Sequence, residues 1–226
     1  IPMLIKDEYN ITLPLNNDQY YESQADKFLK FDIELELMNT LIRTQEVEPY
    51  KNELVNVDFH LLCAFDKDFP NVVDIKSGDR PYLFAYKGNI DLLEQINKNV
   101  AVIGVLSPTE SIIKREEIIV QELVKNNINI VGGLALGCDT IAHQACIKSN
   151  GKTIAILPST MQYIYPKENE RLVDRIVENG GLVITEYITE SDNKYERIRR
   201  FVERDRLQAM FSQSVILIAS YIHGEG

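Results

Sequence analysis

From Val100 onward, short continuous apolar runs alternate with stretches whose apolar residues recur at helical spacing. The runs cover 100–105, 128–131, 153–157, 182–185 and 214–219, each rich in Val and Ile and flanked by Gly, Pro, Ser or Asn. Unbroken rather than alternating hydrophobicity predicts strands covered on both faces, as in a parallel sheet. Between them, Ile112, Ile119, Val120, Leu123 and Val124 line one face of a predicted helix over 110–126. Ile141, Ala142, Ala145 and Cys146 do the same after a glycine turn, and Leu172, Val173, Ile176 and Val177 do so in 168–179. Asn179-Gly180-Gly181 supplies a stop for that last helix. Strand, helix, strand at this spacing predicts right-handed βαβ units, hence a doubly wound α/β domain with a mostly parallel sheet.

Upstream the pattern changes. Residues 19–46 read mainly as helix, dominated by Phe28, Phe31, Ile33, Leu35, Leu37, Met38, Leu41 and Ile42. Residues 58–94 read as short extended pieces punctuated by Pro70, Gly78-Asp79, Pro81 and Gly88. The expected division is therefore a small helical N-terminal region, 1–57, and a main domain, 58–226. A parallel sheet normally continues with another helix and strand after a run such as 214–219, so the fold is expected to be cut short at 226.

Composition adds a few exclusions. With 45% hydrophobic and 26% charged residues among 226, the chain falls in the ordinary globular class. There is no apolar stretch near the ~18–20 residues needed to span a bilayer, and no signal-peptide pattern. Cys63, Cys138 and Cys146 are too scattered for a disulfide framework, and no Cys-x-x-Cys pair suggests zinc. A cytoplasmic protein without membrane attachment is expected. A net charge of −10 argues against indiscriminate coating of nucleic acid. The acidic excess is concentrated before Val100, however, and Lys194, Arg197, Arg199, Arg200, Arg204 and Arg206 outnumber the acidic residues around them. Such a run is either a solvated helix face or a polyanion-binding edge.

Ligands of an open parallel sheet gather where its strands end and its helices begin. Three loops converge there: 104–110, 132–139 and 157–169. In Gly132-Gly-Leu-Ala-Leu-Gly137, glycines permit close backbone approach to an anion, and N–H groups at a helix start point toward it. The same glycines also suit a tight turn that binds nothing. Walker spacing is present, but Cys138-Asp139 stands where Lys-Ser/Thr is required, and the dinucleotide Gly-x-Gly-x-x-Gly spacing fails. One phosphate of a longer chain is easier to accommodate than a triphosphate. Asp139 and His143 lie four apart, which permits a shared metal or an acid–base pair, or a buried or capping histidine. Ser107, Ser159 and Cys138 carry no nucleophile signature. Neither a cofactor nor a metal site is expected.

Gly132-Gly-Leu-Ala-Leu-Gly-Cys-Asp-Thr-Ile-Ala-His143 resembles the Ser-Gly-Leu-Ala-x-Gly-Ile-Asp-x-x-Ala-His signature of the DNA-processing protein A family (DprA, also called Smf). In the same order, Ile164-Tyr-Pro-Lys-Glu-Asn169, Thr185-Glu-Tyr187 and Phe201-Val-Glu-Arg-Asp-Arg206 resemble further family motifs, and Phe69-Pro70 with 81–89 resembles its lead-in. The likeness runs from about residue 58 to 220. It implies a Rossmann-like domain that binds single-stranded DNA, dimerises and loads a RecA-type recombinase on incoming strands in natural transformation, without catalysis. By position, it implies a DNA-binding set of Gly104, Ser107, Gly132, Gly133, Leu134, Gly137, Lys167, Asn169, Arg204 and Arg206, with Lys167 on the backbone.

Two departures bear on affinity. Where the family has Gly-Ser-Arg after the first strand, this chain has Gly104-Val105-Leu106, so one phosphate-clamping arginine is lost. The Asn between the family's two arginines is Asp205. Weaker DNA binding or partial change of role is the expected result. Tyr163, Tyr165 and Tyr187 are candidate base-stacking platforms or core-rim residues. The alternatives are a pocket for a small nucleotide-like ligand, a divergent nucleotide hydrolase using Asp139 and His143, and a structural dimer built on the strand near Val215.

Overall fold

The computed structural model describes residues 58–64, 66–70, 80–191 and 193–221. The predicted N-terminal helix over 19–46 and the predicted region 1–57 lie outside the described residues. The elements in chain order are β1 (His60–Cys63), β2 (Leu83–Gly88), β3 (Asn99–Ile103), α1 (Glu110–Lys125), β4 (Asn129–Gly132), α2 (Cys138–Lys148), β5 (Thr153–Ile156), α3 (Glu170–Glu178), β6 (Leu182–Thr185), α4 (Lys194–Met210) and β7 (Ser214–Leu217). Short 3-10 turns occupy Ile90–Glu94, Ile96–Lys98 and Lys167–Asn169. Each apolar run from Val100 onward thus contains a strand, and each predicted helix forms within two residues of its expected start.

The seven strands form one sheet in the order β1-β2-β6-β5-β4-β3-β7. From β6 through β7 all neighbours are parallel, whereas β2 runs antiparallel to β6 and β1 antiparallel to β2. This is a Rossmann-like doubly wound α/β fold with an antiparallel extension at one edge. The chain steps outward from β3 through β4, β5 and β6, then crosses back to place β7 on the other side of β3. The β3 loop therefore sits at the point where strand order reverses, the place where open α/β sheets accept ligands.

Residue alternation along the strands sorts the core into two layers. Ala101, Val131, Ile154, Ile156, Leu182 and Ile184 pack with Leu207 of α4, with Phe211 just after it, and with Leu92 and Leu93. Their strand neighbours face the other helices: Val100, Val102 and Ile130 meet Val120, Ala142 and Cys146, and Ala155 and Val183 meet Leu172, Val173 and Ile176. β7 is an edge strand, and its Val215 and Leu217 stay 49% and 60% exposed. Among the described residues no helix is long and apolar enough to cross a membrane.

Candidate nucleic-acid interface

β4 ends at Gly132, and the loop from Gly133 to Gly137 turns the chain into α2. Two left-handed residues make the turn, Leu134 at φ +62° and Gly137 at φ +79°. At Gly137 glycine is required twice over, because a Cβ would also lie 2.4 Å from the carbonyl oxygens of Val105 and Leu106. The loop is fastened from within. Asp139 Oδ2 accepts hydrogen bonds from the N–H groups of Gly133 (2.9 Å) and Ala135 (3.2 Å). Thr140 donates its hydroxyl to Ala135 O at 2.7 Å, and Cys138 N–H donates to Val105 O at 3.1 Å, joining the turn to the β3 loop. Asp139 is buried, which pushes its carboxyl above the ordinary range; Arg204 and the two loop N–H groups oppose that shift.

Asn169 connects the third loop. Its side-chain amide donates to Leu134 O at 2.8 Å and to Thr140 Oγ1 at 2.7 Å, so the segment Tyr165-Pro166-Lys167 is pinned beside the glycine turn. Lys167, two residues from this anchor, is exposed and makes no ion pair among the described residues. Ser107 is exposed in the β3 loop, next to Leu106, which is 58% exposed at the position of the lost arginine. Gly104 packs under α2, where a Cβ would meet Cys138 Sγ at 2.5 Å.

The two arginines of α4 are placed differently from Lys167. Arg204 is 4% exposed, and its Nη1 lies 3.8 Å from Asp139 Oδ2 and 3.4 Å from Asp205 Oδ1. Its Nε and Nη1 are buried without a hydrogen-bond partner. Arg206 forms a two-pronged pair with Glu186, at 2.7 and 2.6 Å, and also donates to Glu203 O. The neighbouring Thr185 and Tyr187 are likewise engaged: Thr185 donates to Ser159 O at 2.8 Å and Tyr187 to Glu203 Oε2 at 3.1 Å. Tyr187 is 6% exposed with Arg200 Cζ 4.3 Å above its ring. It is a core-rim residue, not a stacking platform. Tyr163 and Tyr165, in contrast, are 64% and 44% exposed.

His143 and Asp139 do not form an acid–base pair. The Thr153 hydroxyl donates to Ile130 O at 2.9 Å and therefore accepts from His143 Nδ1, 2.6 Å away, which leaves the bare Nε2 against Gly132. Burial and the Arg204 charge lower the imidazole pKa to about 3, so the ring is neutral and structural. Among the described residues no group of three or more His, Cys, Asp or Glu is arranged to hold a metal. A feature the sequence did not signal lies behind the turn. Glu116 of α1 is fully buried with the Cys138 thiol beside its carboxylate, and burial pushes its pKa up to about 7. Its neighbour Cys138 is pushed up to about 12, again mainly by burial, and is an unreactive thiol.

Fold and site together define a doubly wound α/β domain whose sheet rim carries a fastened glycine turn joined through Asn169 to the segment that bears the exposed Lys167. The chain belongs to the DNA recombination-mediator protein A family, whose family model matches residues 60–224. It is similar to protein Smf of Borreliella burgdorferi, 30% identical over 153 residues covering 67% of this chain and 46% of that protein. It is also similar to DNA processing protein DprA of Streptococcus pneumoniae, 44% identical over 109 residues covering 48% and 37%. The chain thus spans less than half the length of these relatives. Among solved structures, DprA from S. pneumoniae superposes with a TM-score of 0.62 at 33% identity, covering 76% of this chain and 58% of that one. DNA processing protein A from Helicobacter pylori, studied for its single-stranded-DNA binding mode, gives 0.57 at 29% identity, covering 72% and 69%.

Proposed function

We propose that this chain binds single-stranded DNA as a non-catalytic recombination mediator, acting as a homodimer in the cytoplasm to place a RecA-type recombinase on incoming strands during natural transformation. Family membership supports the class of role, and the H. pylori relative supports the ligand. The observation that carries the reading to this molecule is the position of Lys167. Asn169 anchors its segment to Leu134 O in the glycine turn, and the ammonium is left exposed at the carboxyl rim of the sheet. A flexible, strongly hydrated point charge with three donors suits a phosphate of a chain that must slide and release.

In this reading the other members of the set divide the work. Gly104, Ser107 and the backbone from Gly132 to Gly137, Leu134 included, shape the surface that the strand crosses. Arg204, faced by Asp139 and Asp205, supports the turn from beneath. Arg206 holds α4 to the end of β6, and Asn169 holds Lys167 in place. With Lys167 the exposed cation of this set that makes no ion pair among the described residues, the salt dependence of binding is shallow, since each neutralised phosphate of a single strand contributes about −0.7 to the slope of log K against log salt.

Titration of a fluorescent oligothymidine against the chain at several salt concentrations tests the proposal. Binding that weakens with salt, and a Lys167→Glu variant that loses affinity while keeping its circular dichroism, are the expected results. Affinity unchanged in that variant, or a thermal-shift response to mononucleotides alone, would overturn it.

A further inference from the structure

One cleft of about 180 Å³ opens beside the site, between the loop after β5 and the start of α4. Its walls include Ser159, Thr160, Tyr163, Tyr165, Glu190 and Arg197. Tyr165 forms one edge as a braced shelf. Phe201 meets it edge-on at 5.7 Å between ring centroids, Arg197 Cζ stands 5.6 Å from the ring centroid, and the Tyr165 N–H is fixed to Ser159 Oγ at 3.2 Å. Tyr163 rises from the same loop, more than half exposed, with its N–H bonded to Thr160 Oγ1. Two partly open aromatic rings beside a guanidinium that makes no ion pair among the described residues offer flat faces against which a planar group can stack.

The charge around the cleft says which part of a nucleotide fits. Glu190 lines it, and one carboxylate oxygen accepts the Thr160 hydroxyl at 2.7 Å. A carboxylate repels a phosphate but accepts N–H groups from the edge of a neutral base. Lys167, the phosphate-seeking group, stands only two residues beyond Tyr165, outside the cleft wall. We infer that this cleft is a base-binding subsite: a nucleotide whose phosphate lies at Lys167 stacks its base on Tyr165, between that ring, Arg197 and Tyr163. The inference rests on the proposed single-strand binding and adds to it the direction in which the bases point, toward the start of α4 rather than across the glycine turn.

Base–aromatic stacking does not depend on counterion release, so it separates cleanly from the phosphate contact. The test compares oligothymidine with an abasic strand of the same length, each fluorescently labelled and titrated against the full chain at three salt concentrations. The chain binds oligothymidine more tightly than the abasic strand. Tyr165→Ala lowers oligothymidine affinity about 5- to 150-fold, leaves the salt slope unchanged and leaves abasic binding unchanged. Tyr165→Phe retains wild-type behaviour, and Tyr163→Ala, altering a ring that lies mostly in solvent, gives a smaller loss of the same kind. Equal binding of the two strands, or equal loss on both in Tyr165→Ala, would overturn the subsite while leaving single-strand binding through Lys167 standing. Absence of binding to either strand would remove both.

Discussion

The Arg204 guanidinium fills the space that a side chain at Gly133 would need: a Cβ there would lie 1.1 Å from Nη1. The glycine turn is therefore shaped from inside by a buried cation as well as from outside by any ligand. Asp139 completes the arrangement, holding the turn through two N–H groups and facing the same guanidinium. Removing one partner of such a set leaves the others buried and uncompensated.

A double-mutant cycle measures this coupling. Gly133→Ala forces Arg204 aside and is expected to cost about 1–3 kcal/mol of stability, as overpacking does. Arg204→Ala strips Asp139 of its charge partner and is destabilising in its own right. Because the Arg204 guanidinium supplies the nearest atoms to a Cβ at 133, its removal relieves that clash, and the double variant should be more stable than the sum of the singles predicts. Urea midpoints of the four proteins provide the check, and simple additivity would show that the close approach is relieved elsewhere.

Asp205 sets the electrostatic tone of the turn. Its Oδ1 lies 3.4 Å from Arg204 Nη1, and its side chain is mostly exposed. Asp205→Asn removes one negative charge from the strand's path while keeping the shape. A unit charge a few Å away in water-like surroundings is worth about 1 kcal/mol, so oligothymidine affinity should rise roughly fivefold at low salt. The gain should shrink as salt is added. Anisotropy titrations at two ionic strengths would reveal it.

Lys167→Ala should reduce the salt slope for oligothymidine by about 0.7 with little effect on stability, because the side chain is exposed and makes no ion pair among the described residues. Lys167→Arg should restore most of the slope. A slope that stays constant across the three proteins would place the phosphate contact on other residues.

Two buried groups give the fold opposing responses to pH. The folded pKa of His143, about 3, lies below its unfolded value of 6.5, so stability falls as pH drops below 6.5 and the unfolded chain takes up the proton. Glu116 has a folded pKa near 7 against 4.5 unfolded, so its contribution is present at low pH and lost as pH rises from 4.5 to 7. Between pH 5 and 7 the two effects oppose each other at about 2 kcal/mol each. The combined contribution of these two groups should therefore be nearly flat across this window. Glu116→Gln should be more stable than wild type at pH 8 and should lose about 2 kcal/mol between pH 7 and pH 5. Chemical denaturation at those three values would test the pair.

Much of the fold is legible in the sequence because it depends on local periodicity. The apolar runs give β3 to β6 as strands covered on both faces, where unbroken Val and Ile are buried; the run 214–219 also forms a strand, but β7 lies at the sheet edge and is largely exposed, contrary to that reading. Helical spacing gives α1 to α3 for the corresponding reason. The antiparallel attachment of β1 and β2 beyond β6 is not legible, because an extended piece does not announce its neighbour. The family motifs fall on loops that the structure joins through Asn169, and the short chain distance from Tyr165 to Asn169 brings Lys167 with them.

What the sequence alone cannot assign is what each charged group faces, since that depends on residues far apart in the chain. Asp139 is read as an acid–base candidate and proves to be the clasp of the turn, six residues from Gly133 but held in place by Arg204 of α4. Tyr163, Tyr165 and Tyr187 look alike as candidates, and only the packing of α4 separates them, burying Tyr187 under Arg200 and leaving the other two open. Periodic burial is a property of neighbours along the chain and is written there. The environment of a charge or a ring is a property of neighbours across the sheet, and only the assembled tertiary structure decides it.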